Sequence, residues 1–281
     1  MLHTKRKLKT ALCISGQMRN YEYTYEMLRK HIITPFEADV FIHTWSNKGC
    51  SVVLTSRSPQ EIAKKEKSWE QYDKPVNEDQ IRQTYTTAKA IVVEDFFELY
   101  KKSIEGVSVP QWILDKYTNR IEGTVPDGHK WATCHVHSFL PMFYKIMKCN
   151  QLKTIEEQRQ NFKYDMVIRM RSDLIVGEIP NECLDNLHEM WCNINIGSPP
   201  LPNTNGQSQV SDRYALSNSD NMDKYCSVFN YLNVYWQDKK DHNPEFESWD
   251  FPVGDRLLRM HLLNMGLDHK SFKPFAPIYR S

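Results

Sequence analysis

The sequence predicts an α/β protein in which a mostly parallel β-sheet is sandwiched by helices. Three observations predict it. Short runs rich in Val, Ile, Leu and Cys alternate along the 281 residues with helix-length polar or amphipathic stretches. There is no internal repeat and no low-complexity segment, so neither a solenoid nor a disordered chain is indicated. Hydrophobic residues make up 40% and charged residues 25%, which suits a soluble globular chain long enough to bury a proper core.

Residues 9–15 (Lys-Thr-Ala-Leu-Cys-Ile-Ser) read as a buried first strand that runs into a strand-to-helix turn at Gly16-Gln17-Met18-Arg19-Asn20. A helix follows over 22–33 and a second strand over 38–44 (Ala-Asp-Val-Phe-Ile-His-Thr). The polar stretch 59–72 is expected to be a surface helix and 88–94 (Ala-Lys-Ala-Ile-Val-Val-Glu) a third strand. Gly106, Pro110, Gly123, Pro126 and Gly128 punctuate 100–130, which predicts a long loop with short helical pieces. Val136, Phe139, Leu140, Phe143, Ile146 and Met147 form a helical stripe within 134–152. Strands are expected at 164–176 and 189–196, then a Pro/Asn/Gly-rich loop at 197–209, a short strand at 212–218 and helices over 220–233 and 253–265. All of this is expected to form a single domain spanning 1–281.

The stretch 164–176 (Tyr-Asp-Met-Val-Ile-Arg-Met-Arg-Ser-Asp-Leu-Ile-Val) carries the most chemical information. Strand alternation would put Arg169, Arg171 and Asp173 on one face and Ile168, Met170 and Leu174 on the other. Charges in an apolar strand are costly unless they are paired or bound. A phosphate-bearing ligand with a divalent cation would satisfy them: Arg matches phosphate oxygens with its planar fork, and Asp suits a hard cation. An internal Arg–Asp ion pair at a sheet edge would satisfy them equally well.

Ligands of such sheets bind at the carboxyl ends of the strands. Three predicted strands end in chemically capable residues: Ser15-Gly16-Gln17-Met18-Arg19, His43-Thr44-Trp45-Ser46-Asn47, and Arg169 to Asp173. The Gly16 turn would let backbone N–H groups approach a phosphate, with Arg19 opposing its charge. There is no GxGxxG or Walker loop, so a dehydrogenase or a P-loop kinase is not supported. A net charge of +1 gives no global field for nucleic acid. The seven cysteines are scattered without a CxxC pair and read as reduced thiols of a cytoplasmic protein. The basic N-terminus leads into a strand rather than a signal-peptide core, and no stretch approaches a membrane span, which leaves peripheral membrane contact only. No feature bears on oligomeric state.

Residues 13–19 (Cys-Ile-Ser-Gly-Gln-Met-Arg), 38–45 (Ala-Asp-Val-Phe-Ile-His-Thr-Trp), 138–146 (Ser-Phe-Leu-Pro-Met-Phe-Tyr-Lys-Ile), 164–174 and 211–222 together resemble GT-A-type glycosyltransferases of the group found in large DNA viruses, algae and bacteria. The resemblance spans about residues 10–266 and extends to an acidic residue, Asp255, opening the last helix. It implies a GT-A-like, Rossmann-related fold, a nucleotide-sugar donor, a glycan or glycoprotein hydroxyl as acceptor, and Mn²⁺ or Mg²⁺ bridging the donor diphosphate. The family's cation motif has two Asp residues separated by one. Here Arg171-Ser172-Asp173 retains only the last, so Asp173 is the implied metal ligand. His261 and His269 are candidates for a C-terminal metal-binding His. Ser15, Gly16, Gln17, Arg19, His43, Thr44, Arg169 and Arg171 are the candidate donor-binding residues.

Transfer needs the leaving diphosphate's charge stabilised, and a carboxylate to accept or orient the acceptor hydroxyl. Asp255 and Asp212 are the first candidates for that carboxylate, with Asp250 and Glu247 behind them, and Trp249-Asp250-Phe251 would shape an acceptor pocket. Two other classes fit the same residues: a nucleotide- or sugar-binding protein without turnover, and a nucleotidyl- or phosphotransferase.

Overall fold

The structure is a computed structural model that describes residues 7–48, 74–95, 136–194, 210–237 and 254–271. Its framework is a seven-stranded sheet of β1 (Thr10–Gly16), β2 (Asp39–Trp45), β3 (Ala88–Glu94), β4 (Met166–Met170), β5 (Met190–Ile194), β6 (Val210–Ser217) and β7 (His269–Ser271). The order across it is β3-β2-β1-β4-β6-β5-β7. β1 lies parallel to β2 and β4, β2 to β3, and β5 to β7, whereas β6 runs antiparallel to both β4 and β5. The expected mostly parallel sheet is therefore what the chain forms.

Both faces are covered, which explains why β1 is buried from Thr10 to Ser15 and apolar from Ala11 to Ile14. Ala11, Cys13, Phe41, Val167, Cys192 and Ala215 pack beneath α3 (Val136–Gln160), α5 (Ser219–Cys226) and α7 (Gly254–Asn264). Leu12, Ile14, Val40, Ile42, Ile168 and Met170 face α1 (Tyr21–Leu28), α2 (Glu78–Thr84) and α4 (Asn181–Asp185). α1 continues through a π-helical turn, Arg29–Ile33, and a last turn, Thr34–Phe36. α2, which sequence periodicity did not reveal, starts at a capping box: Asn77 accepts from the Gln80 N–H while the Gln80 side chain accepts from the Asn77 N–H.

Four element boundaries differ from expectation. The helix expected over 134–152 runs on to Gln160, because a buried ion pair between Lys153 and Glu157 continues it where the apolar stripe stops. The strand expected over 164–176 is confined to Met166–Met170. Pairing with β6 ends at Met170 opposite Tyr214, with one further bond from the Arg171 N–H to the Arg213 carbonyl. The chain then leaves the sheet, so Arg171 and Asp173 do not share a strand face with Arg169. β6 starts at Val210, two residues before the expected point, and the helix expected over 220–233 divides into α5, a 3-10 turn (Ser227–Tyr231) and α6 (Leu232–Gln237). The features expected at 59–72, 100–130, 197–209, Glu247 and Trp249–Phe251 lie outside the described residues.

Candidate functional site

The carboxyl ends of β1, β2 and β4 lie side by side because these strands are adjacent and parallel. β1 leaves the sheet at Gly16, whose φ of +110° is open to glycine and strained for any side chain. Two turns meet there. The Ser172 hydroxyl donates to the Gln17 carbonyl at 2.8 Å and to the Arg19 carbonyl at 3.3 Å, and the Thr24 hydroxyl donates to the Ser172 carbonyl at 2.5 Å. These bonds tie the loop after β1, the start of α1 and the loop after β4 into one unit, and they place Gln17, Arg19, Arg171 and Asp173 together. The Arg19 guanidinium also donates to the Gln17 side-chain carbonyl.

Within this unit Arg171 folds back on Asp173 through a two-point contact: Nε to Oδ1 at 2.9 Å and Nη2 to Oδ2 at 2.6 Å. Arg19 Nη1 lies 3.9 Å from the same Oδ2. Asp212, near the start of β6, comes within 3.9 Å of Arg171 Nη1. The ion pair weighed from sequence is therefore present, but between Arg171 and Asp173 on the turn rather than along a strand face.

Arg169 is a different kind of group. It is 1% exposed, and its Nε donates to the Ser15 hydroxyl at 3.0 Å. Its Nη1 is buried and finds no hydrogen-bond partner among the described residues. The carboxylates Asp173 and Asp212 are turned to Arg171. Around Arg169 stand Tyr225, Cys149 and Cys226. Burial pushes all three well above their ordinary pKa, and the Arg169 charge acts against that rise in each. The Tyr225 hydroxyl is also buried without a partner among the described residues.

His43 and Thr44 belong to a second cluster, most of which sequence reasoning missed. Lys145, fully buried on α3, donates to the Thr44 carbonyl at 2.8 Å and to Glu94 Oε2 at 2.6 Å, and lies 3.5 Å over the Trp45 ring. Glu94 also accepts from the Tyr144 hydroxyl at 3.3 Å and stands 3.7 Å from His43 Nε2. Burial lowers Lys145 to about 8 against the opposing pull of Glu94, and burial with Lys145 and Lys148 lowers His43 to about 2. His43 is thus a neutral imidazole. No sequence signal marks Lys145: at about 100° per residue it stands on the side of α3 away from the apolar stripe.

The two C-terminal histidines are held within the fold. His261 Nδ1 meets the Tyr235 hydroxyl at 2.7 Å, and its Nε2 donates to the Lys224 carbonyl at 2.7 Å. His269 Nδ1 accepts from Arg259 at 2.7 Å. Among the described residues no three His, Cys, Asp or Glu side chains come together as a cation site. The immediate partners of Asp173 are guanidiniums, so the described residues do not fit a divalent cation at that carboxylate.

These buried histidines make stability depend on pH. Burial lowers His261 to about 4, and burial with Arg259 lowers His269 to about 4. An unfolded His titrates near 6.5, so below that pH the unfolded chain takes up protons that the native chain refuses. Stability is fully present above about 6.5 and is lost as pH falls towards 4. The urea midpoint should therefore drop steadily from pH 7 to pH 5. A flat profile over that range would contradict neutral burial of these rings.

Asp255 sits at the second position of α7. Its helix starts close against α3, because a Cβ at Gly254 would stand only 3.2 Å from the Met142 side chain and 3.3 Å from Phe139. All five cysteines of the described residues are free and buried, and no described helix is long and apolar enough to cross a membrane. No protein-family model and no curated protein sequence matches this chain. Among solved structures it is similar to mouse xyloside xylosyltransferase 1 in its apo form, at 10% identity and a TM-score of 0.43, over 94% of this chain and 84% of that one.

Proposed function

We propose that this protein is a GT-A-like glycosyltransferase that moves a sugar from a nucleotide-sugar donor to a hydroxyl of a glycan or glycoprotein acceptor. The observation that carries the proposal is the gathering of Gln17, Arg19, Arg169, Arg171 and Asp212 at the carboxyl edge of β1 and β4. That edge is where ligands of mostly parallel sheets bind. The residues gathered there are those whose motifs resemble the glycosyltransferase group. Fixed guanidiniums suit a leaving nucleoside diphosphate, whose negative charge grows as the glycosidic bond breaks. Asp212 faces Arg171 and is partly engaged as its counter-ion. Asp255, on the first turn of α7, is the carboxylate assigned to the acceptor hydroxyl.

The test is a panel of nucleotide sugars incubated with the purified chain, with free nucleoside diphosphate as the readout. Transfer or slow hydrolysis releases the diphosphate. Release of pyrophosphate would instead identify a nucleotidyltransferase, and binding without any release a non-catalytic protein. Arg19→Ala should weaken nucleoside diphosphate affinity about tenfold while circular dichroism stays native. Asp255→Asn should keep donor binding and lose turnover by about a hundredfold or more, as expected for removal of a general base. Equal loss of donor affinity in Asp255→Asn would remove it from the acceptor side.

A further inference from the structure

We propose that the donor diphosphate is held by guanidinium groups without a divalent cation, and that Asp173 is a positioning residue for Arg171 rather than a metal ligand. This rests on the nucleotide-sugar reading and assigns the chemistry of its phosphate site.

Four observations lead there. Both oxygens of Asp173 are already taken by Arg171, at 2.9 and 2.6 Å, and Arg19 stands 3.9 Å from one of them. A hard cation takes at least six oxygen ligands and prefers anionic ones, and next to Asp173 it would meet two fixed positive charges instead. The second acid of the site, Asp212, faces the same guanidinium at 3.9 Å, so the point on which these two described carboxylates converge is filled by the Arg171 cation. Arg169 is a buried cation whose Nη1 lacks a partner among the described residues, and a buried charge persists at a cost unless an anion answers it. Finally, the Ser172 and Thr24 hydroxyl bonds fix the turn that carries Arg171 against the one that carries Arg19, so these guanidiniums are held in place before a ligand arrives.

The arrangement divides the labour. Asp173 grips Nε and Nη2 of Arg171, which fixes the plane of that guanidinium. Arg19 stands beside the same Asp173, Arg169 lies buried two residues back on β4, and a diphosphate with at least two negative charges complements the set. One consequence is that removal of Asp173 should loosen Arg171 without making binding depend on a cation.

The experiment measures uridine and guanosine diphosphate affinity for the full chain by calorimetry and thermal shift, in EDTA and in Mn²⁺. Affinity in EDTA is expected to stay within about twofold of that in Mn²⁺. Arg171→Lys, which keeps the charge and loses the fork, should weaken binding about tenfold in both conditions. Asp173→Asn should weaken it by less than about tenfold and equally in both. Diphosphate binding that needs Mn²⁺ and disappears in Asp173→Asn would overturn the proposal while leaving the transferase reading standing. Failure of either diphosphate to bind in both conditions would overturn the two together.

Discussion

Arg169→Met is expected to raise the thermal midpoint of the free protein and to abolish its response to nucleoside diphosphate. Arg169 is buried between β1 and β6 with a hydrogen bond to Ser15 and an Nη1 that has no partner among the described residues. Taking a guanidinium out of water is costly, and replacing buried ionic groups by apolar side chains of similar volume often stabilises a protein, by about 1–4 kcal/mol. Met fills much of the same space, and the Ser15 hydroxyl loses one donor. The same substitution removes the most deeply buried cation at the proposed phosphate site. Loss of one preorganised group of this kind typically lowers turnover by about a hundredfold to a thousandfold. The two readouts should therefore move in opposite directions: unfolding midpoint up, diphosphate-induced shift and sugar transfer down. A stabilised variant with full activity would show that Arg169 has no part in donor binding. A destabilised variant would show that its charge is answered within the fold.

Lys153→Met is expected to be among the most destabilising single substitutions, at a point far from that edge. Lys153 is fully buried on α3 and donates to Glu157 at 3.1 Å, to Asp223 at 2.8 Å and to the Ser219 hydroxyl at 2.5 Å. Glu157 in turn accepts from the Tyr164 backbone N–H at 2.9 Å and from Ser219 at 2.5 Å. The network joins α3 to the start of α5 and to the entry of β4, at the end of β4 opposite the candidate site. Burial pushes Asp223 up, but Lys153, Asn150 and Lys163 outweigh it and hold its carboxyl below the usual range. Without Lys153 the buried Glu157 carboxylate loses its closer and fully buried cation and is left with the half-exposed Lys163 at 3.5 Å. Breaking one side of a buried pair costs about 3–5 kcal/mol, which a urea titration reads directly. Lys153→Met combined with Glu157→Gln should be less destabilised than the sum of the two single variants, because the uncompensated charge is gone. Additivity would mean that the two residues do not form a pair. Diphosphate affinity should be unchanged in Lys153→Met under conditions where it remains folded.

Much of the fold was legible in the sequence because it is encoded locally. β1, β2 and β3 fell where apolar runs predicted them, and α7 where Leu257, Leu258 and Leu262 mark a buried helical face. The boundaries that failed were those set by partners distant in sequence. β4 stops at Met170 not because its residues cease to favour a strand, since Leu174 and Val176 are still buried and apolar, but because β6 ceases to pair and Ser172 is drawn to Gln17 and Arg19. The polar end of α3 was missed for a similar reason: its anchor, Lys153, is buried only because Ser219 and Asp223 arrive from α5.

The candidate site divides in the same way. Sequence alone determined the chemical types, Arg169, Arg171 and Asp173 near one strand end and Gly16, Gln17 and Arg19 near another, since residue type and strand pattern are properties of single segments. Only the tertiary structure decided what each one contacts. It decided that β1 and β4 are neighbours, so that the two turns meet. It decided that Arg171 is bound to Asp173 while Arg169 is buried beside Ser15. It also brought in Lys145 and Glu94 beside His43, although Lys145 lies away from the apolar stripe of its helix, because the sheet covers that side as well. The physical reason is range. Strand and helix patterns follow from sterics and burial over a few residues, whereas the charge state, burial and partner of an ionisable group depend on side chains that the fold brings to it from elsewhere in the chain.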